Sequence, residues 1–133
     1  MRVVLANGTF DPLHFGHVLH LELARSYGDA LIVALTGDEA VRREKGESRP
    51  LFRQEHRAHM LLSLKVVDGV VVVGSGIEGV RLVRPDVFVK GADYTGKLDL
   101  EILSYCKAEG IEIRLTDTPK WSGTKVGDAL RSC

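Results

Sequence analysis

The amino-acid sequence predicts a single α/β domain wound on both faces of a parallel sheet, and three observations carry that expectation. Short apolar runs recur without internal alternation, as in Ala30-Leu31-Ile32-Val33-Ala34-Leu35 and Val70-Val71-Val72-Val73. Such runs mark strands buried on both faces. Segments with helical spacing separate them. The length, 133 residues, suits one core of this kind, and no linker, repeat or low-complexity tract divides it. Residues 1–133 are therefore read as one domain.

The elements follow in order. A first strand over 2–6 contains Val3-Val4-Leu5-Ala6 and leads through a glycine turn into a helix over 15–27. A second strand covers 30–35. The charged run Arg42-Arg43-Glu44-Lys45-Gly46-Glu47-Ser48-Arg49-Pro50 reads as a solvated loop, and Arg49-Pro50 sets the exit into the next helix. That helix, over 53–64, draws its buried stripe from Leu61, Leu62 and Leu64, with Arg57 pointing elsewhere. A third strand, 70–73, is followed by a helix over about 76–83, which Pro85 closes. A fourth strand at 86–90, a helix at 98–109, a fifth strand at 111–115 and a helix at 124–131 complete the pattern. Five parallel strands with intervening helices make a doubly wound, Rossmann-like domain. Ligands are expected beyond the carboxyl ends of its strands.

Composition narrows the function. Lys plus Arg and Asp plus Glu both number 18, so the net charge is zero. This excludes a general nucleic-acid or membrane-surface binder, and any anion site must be a local concentration of positive groups. The two cysteines, Cys106 and Cys133, make no disulfide framework and suit a reducing compartment. Only four apolar residues follow Arg2, so no secretory signal is expected, and no run approaches the ~18 apolar residues of a membrane span. A cytoplasmic location is expected.

The segment Gly8-Thr9-Phe10-Asp11-Pro12-Leu13-His14-Phe15-Gly16-His17 carries the chemistry. It joins a buried strand to a helix start, where backbone N–H groups lack partners and the macrodipole favours negative charge. A glycine-bearing loop there cradles phosphate. His14 and His17, three apart, project from one face of the first turn, and Gly16 lets an anion approach the backbone. No Cys or carboxylate lies close enough in sequence to complete a metal set with them, so no metal site is assigned. His20, one turn on, reads as a packed or surface helix residue, and Asp11 as a turn residue before Pro12.

Other clusters fall at the same edge. Lys45, in the charged run, is placed to neutralise phosphates if that run closes over a ligand. Gly74-Ser75-Gly76-Ile77-Glu78-Gly79 fits a dinucleotide fingerprint, but its mid-chain position and the nearby Pro85 make turn chemistry the better account of its glycines. Lys90, Gly91 and Asp93 end the fourth strand, with Lys90 able to reach an anion and Asp93 a base or ribose. Ser122, Thr124 and Lys125 open the last helix, where hydroxyls and N–H groups suit phosphate.

The string GTFDPLHFGH resembles the G-T-F-D-x-x-H-x-G-H signature of the cytidylyltransferase-like nucleotidyltransferases and is complete at every fixed position. Glu55-His56-Arg57 is similar to a helix element in which the arginine supports the family's nucleotide site. The resemblance implies transfer of a nucleoside monophosphate from an NTP to a phosphorylated sugar or polyol, with Mg²⁺ carried by the nucleotide phosphates. It implies catalytic roles for His14, His17 and Lys45. Nucleotide contacts are implied for Gly8, Thr9, Phe10, Gly16, Arg57, Lys90, Gly91, Asp93, Ser122, Thr124 and Lys125. A homodimer is the expected assembly.

Two branches of the family look nearest. Lys45-Gly46…Arg49-Pro50, Val67-Asp68-Gly69-Val70-Val71 and Arg84-Pro85-Asp86…Val89-Lys90-Gly91-Ala92-Asp93-Tyr94 are similar to the ATP-dependent heptose 1-phosphate adenylyltransferases. Glu55-His56-Arg57 and Asp93-Tyr94-Thr95-Gly96-Lys97-Leu98-Asp99 look like the CTP-dependent glycerol-3-phosphate cytidylyltransferase. That enzyme's R-T-E-G run is Asp117-Thr118-Pro119-Lys120 here, and its S-T-T is Ser122-Gly123-Thr124. The missing arginine favours ATP. A non-enzyme reading, a nucleotide-sensing module with the same loop, stands beside both.

Overall fold

The computed structural model describes residues 1–91 and 99–116. Among the described residues, five strands and five helices follow one another, with two helices between the second and third strands: β1 (Val3–Gly8), α1 (Phe15–Arg25), β2 (Ala30–Thr36), α2 (Asp38–Lys45), α3 (Gln54–Leu62), β3 (Gly69–Val73), α4 (Gly76–Val83), β4 (Val87–Gly91), α5 (Leu100–Glu109) and β5 (Glu112–Thr116). All strand pairs are parallel, in the order β3-β2-β1-β4-β5. The chain leaves β1 in one direction for β2 and β3, then returns to β1's other side for β4 and β5. The sheet order therefore reverses between β1 and β4, and the expected doubly wound α/β architecture is present.

Strand alternation builds two cores. Val4 and Ala6 of β1, Leu31, Val33 and Leu35 of β2, and Val87 and Val89 of β4 pack with Leu21 and Ala24 of α1 and Leu61 of α3. Leu5, Ala34 and Phe88 face the other way, against Val80 of α4 and Ile102 and Cys106 of α5. Both faces are covered, which is why these strands read as continuous apolar runs. Among the described residues no helix is long and apolar enough to cross a membrane.

The amino edge of the sheet is tied by carboxylates. Asp29 accepts from the Arg2 N–H at 2.7 Å, Asp86 from the Val3 N–H at 2.7 Å and Asp68 from the Leu31 N–H at 2.8 Å. Each satisfies a backbone donor that has no ladder partner at a strand start.

Two expectations need correction. Residues 38–45 form a helix, so the charged run is loop only from Gly46 onward. Asp38 and Glu39 lie in its first turn, and Arg42, Arg43 and Lys45 in its last, as the macrodipole prefers. Gly46 ends it at φ 100°, and Ala40 and Val41 supply a narrow buried stripe. In α3 the buried residues are Arg57 and Leu61, while Leu62 is exposed. Positions 57 and 61 are one turn apart and share a face; position 62 falls away from it. The predicted helix over 124–131 lies outside the described residues.

The glycine run before α4 proves to be a helix start and a packing surface. The Ser75 hydroxyl accepts from the Glu78 N–H at 3.3 Å, and the Glu78 carboxylate accepts from the Gly74 N–H at 2.8 Å. A Cβ at Gly79 would lie 2.7 Å from the Ala34 Cβ, so α4 approaches β2 as closely as it does only because that position is bare. An alanine in a helix interior ordinarily stabilises by about 1 kcal/mol over glycine. Here the sign reverses: Gly79→Ala is expected to destabilise by roughly 1–3 kcal/mol through overpacking. Urea unfolding measures it, and an unchanged or raised midpoint would show that α4 can move aside.

Candidate active site

The carboxyl end of β1 runs into a loop whose shape is set by one aromatic ring. Phe10 has φ 50°, a left-handed conformation costly for a bulky residue, and its side chain is buried. Its ring folds back so that a Cβ at Gly8 would meet it at 2.9 Å, which requires glycine there. The same ring meets His17 edge-on, with centroids 5.0 Å apart and planes at 72°.

His14 is the N-cap residue of α1 and His17 lies in its first turn. Their imidazoles stack, centroids 3.8 Å apart and planes at 23°. The His14 backbone N–H donates to His17 Nδ1 at 3.2 Å. With Nδ1 accepting, the proton of neutral His17 sits on Nε2, the atom free to donate to a ligand. Burial first, then the charges of His14, His20 and Lys45, push the His17 pKa down to about 4. Burial also lowers the pKa of His14, whose Nδ1 is buried without a partner among the described residues. At neutral pH both rings are uncharged donors and acceptors. Like-charge stacking at this distance would disfavour any other state.

Every other described helix carries a carboxylate in its first turn: Asp38 and Glu39, Glu55, Glu78, and Glu101. The first turn of α1 has none. Its positive end is left uncompensated, with Gly16 buried in it. A phosphate is the natural complement to such a terminus.

Beneath the loop lies Arg57, with 1% of its surface exposed. Its Nε donates to the Phe52 carbonyl at 2.8 Å, and Nη1 donates to the carbonyls of Thr9 at 2.9 Å and Thr36 at 2.8 Å. Its Nη2 donates to the Asp38 carboxylate at 2.7 Å. The guanidinium thus joins the ends of β1 and β2, the start of α2 and the entry to α3. Asp11 holds the same entry from above, accepting from the Leu51 N–H at 2.6 Å and the Phe52 N–H at 2.8 Å.

Of the residues expected at the site, Gly8, Thr9, His14, Gly16 and His17 lie along the turn from the end of β1 into the first turn of α1. Lys45 ends α2, exposed, and near enough to His17 for its charge to bear on that imidazole. Lys90 and Gly91 end β4, beside β1 in the sheet. The side chains of Phe10 and Arg57, expected at the nucleotide, are buried beneath the loop and shape it from below. Asp93, Ser122, Thr124 and Lys125 lie outside the described residues. The His20 imidazole meets the fully buried Thr116 hydroxyl at 2.7 Å, pinning the end of β5 to α1. Asp38 and Thr116 escaped the sequence reading, although a polar residue closing an apolar strand was a signal for Thr116.

The sequence model of the cytidylyltransferase-like family matches residues 5–127. The chain belongs to the cytidylyltransferase-like family. Among curated members, it is 51% identical to the Bifunctional protein HldE of Aliarcobacter butzleri over 98 residues, which are 72% of this chain and 21% of that protein. It is 42% identical to the Bifunctional protein HldE of Nitratiruptor sp. over 135 residues, 99% of this chain and 28% of that protein. The chain thus spans between 21% and 28% of these relatives' length. A solved structure, described as the lipopolysaccharide core biosynthesis protein from Thermoplasma volcanium GSS1, superposes with TM-score 0.72 at 32% identity, covering 92% of this chain and 99% of that one. For this cytidylyltransferase-like chain, the stacked histidines lie inside the matched span, at the two ends of the His14-Phe15-Gly16-His17 string.

The depressed pKa of His17 has a consequence for stability. An imidazole with a folded pKa below its unfolded value takes up its proton more readily in the unfolded chain. His17 therefore costs stability progressively as pH falls from 6.5 towards 4, and has no such effect above that window. Urea unfolding at pH 7 and pH 4.5 should show a smaller loss for His17→Gln than for the wild type. Equal losses would mean that His17 titrates as an ordinary exposed histidine.

Proposed function

We propose that this chain transfers AMP from ATP to a phosphorylated sugar, in the manner of a heptose 1-phosphate adenylyltransferase, with release of pyrophosphate. The observation that carries the reading is the neutral, stacked His14–His17 pair at the uncompensated N-terminus of α1. The acceptor's phosphate dianion is already a nucleophile at pH 7, so the reaction needs no general base. It attacks the α-phosphorus in line, and the P–O bond to pyrophosphate breaks with its electron pair.

The protein's task is to bring two anions together and to stabilise charge as it moves onto the α-phosphoryl oxygens and the leaving group. His17 Nε2–H and the open N–H groups of α1 supply donors aimed at one place. Lys45 adds positive charge from the end of α2, and Lys90 adds it from β4. Arg57 acts as a positioning residue, since its hydrogen bonds hold Thr9 and the start of α2 in fixed relation. Among the described residues no group of three or more His, Cys, Asp or Glu side chains stands together to hold a metal. Mg²⁺ is expected to arrive on the triphosphate and to offset its charge there.

Similarity to the HldE proteins supports a sugar phosphate acceptor, as do the segments around Lys45-Gly46, Val67-Asp68-Gly69 and Val89-Lys90-Gly91. A glycerol-3-phosphate cytidylyltransferase is the second reading, favoured by Glu55-His56-Arg57. A cytoplasmic homodimer remains part of the proposal.

Pyrophosphate release from ATP and CTP, each paired with a panel of phosphorylated sugars and polyols, tests the reaction. His14→Ala and His17→Ala should each lower kcat by roughly 10²–10³-fold, the scale of one lost transition-state donor. Near-normal turnover in either variant would remove the histidines from the chemistry, and no release from any pair would leave a nucleotide-sensing module.

The choice of base has its own measurement. A site that hydrogen-bonds one base edge leaves polar groups unpaired with another, at about 1–3 kcal/mol for each bond lost. Isothermal titration with Mg²⁺ should show ATP binding more tightly than CTP. Tenfold tighter CTP would transfer the chain to the cytidylyltransferase branch and leave the histidine roles intact.

A further inference from the structure

Asn7, the residue before Gly8, has no part in the site described above. Along β1, Val4 and Ala6 pack on the α1–α3 side of the sheet and Leu5 on the α4–α5 side. Asn7 is two residues beyond Leu5 and so faces α4 and α5. Its amide lies against the first residue of α4, because a Cβ at Gly76 would come within 2.7 Å of Asn7 Nδ2. The bare glycine makes room for the amide and fixes where it sits.

Asn7 Oδ1 is buried and accepts no hydrogen bond among the described residues. Buried side-chain amides are ordinarily satisfied, and one held unpaired at a functional edge calls for an explanation. The only other buried unpaired side-chain polar atom of this kind among the described residues is His14 Nδ1, at the far end of the same loop. The two flank the carboxyl end of β1, where the sheet order reverses between β1 and β4. Phosphates gathered on the α1 side would leave the hydroxyl-bearing part of a substrate free to cross β1 towards Asn7.

We infer that Asn7 is a specificity-determining residue whose Oδ1 accepts a hydrogen bond from a substrate hydroxyl, on either the nucleotide ribose or the acceptor sugar. The inference rests on the transferase reading for the identity of those substrates. An acceptor oxygen presented by a neutral amide suits a hydroxyl donor and gives nothing to a phosphate oxygen. An analogue without that hydroxyl leaves Oδ1 unpaired and binds worse.

The test is a thermodynamic cycle between side chain and ligand. Wild type and Asn7→Ala are titrated calorimetrically with ATP, 2′-deoxy-ATP and 3′-deoxy-ATP in Mg²⁺. A second arm uses heptose 1-phosphate and its monodeoxy forms. Wild type should discriminate against one deoxy form by ~10-fold or more, and Asn7→Ala should bind that form and its parent within about twofold. The arm in which this happens names the hydroxyl's source. The melting temperature of Asn7→Ala should be unchanged or raised, because the substitution deletes an unsatisfied polar atom.

The inference falls if Asn7→Ala keeps the wild-type discrimination against every deoxy form. It also falls if the variant melts lower and loses affinity for all forms alike, as a structural residue would. Failure of wild type to bind either series overturns it as well. If wild type binds but releases no pyrophosphate with any acceptor, the transferase reading fails and the titrations still decide Asn7.

Discussion

A buried guanidinium must find acceptors for its hydrogens, and the carboxyl edge of this domain is arranged around that demand. Arg57 takes the carbonyls of Thr9, Thr36 and Phe52 and the carboxylate of Asp38. Those four groups belong to four different segments. Removing one partner of such a pair leaves the other desolvated, and that typically costs about 3–5 kcal/mol. The strand ends, the start of α2 and the approach to α3 are therefore linked to a single side chain. The loop between β1 and α1 rests on this frame, with Phe10 and Asp11 as further supports.

Charge is distributed to match. The chain carries no net charge, so an anion site depends on where the charges go. Asp29, Asp68 and Asp86 are used at the amino edge of the sheet as backbone acceptors. At the opposite edge Asp11 and Asp38 are engaged with backbone N–H groups and Arg57. The first turn of α1 carries no acidic residue. The histidines there are neutral, because burial and mutual repulsion lower the pKa of His17 to about 4. They offer directed hydrogen bonds, and positive charge comes from the helix terminus and from lysines at the margins.

The sequence made the loop between β1 and α1 legible and left its support hidden. Gly8 to His17 announced itself because a glycine loop between a strand and a helix has few other uses, and its spacing matched a known signature. Arg57 was legible as a residue tied to the site, but its burial was not: an arginine in a helix of QEHRAHMLL reads as exposed unless the acceptors beneath it are known. The helix α2 was lost to its own composition. Six of its eight residues from Asp38 to Lys45 are charged, and two buried side chains, Ala40 and Val41, make too faint a stripe to detect.

By itself the sequence determined the α/β class, the five strands to within a residue or two, and the two histidines on one face. These depend on local periodicity and on a contiguous motif, which the chain carries in one dimension. Only the tertiary structure decided that the sheet order reverses beside β1. It also decided that Arg57 points inward to four separated acceptors, that His20 reaches Thr116 across 96 positions, and that Asn7 keeps a buried oxygen unpaired. Each of these is a relation between segments remote in the chain. Packing brings such segments together, and their hydrogen-bond partners cannot be counted until it has.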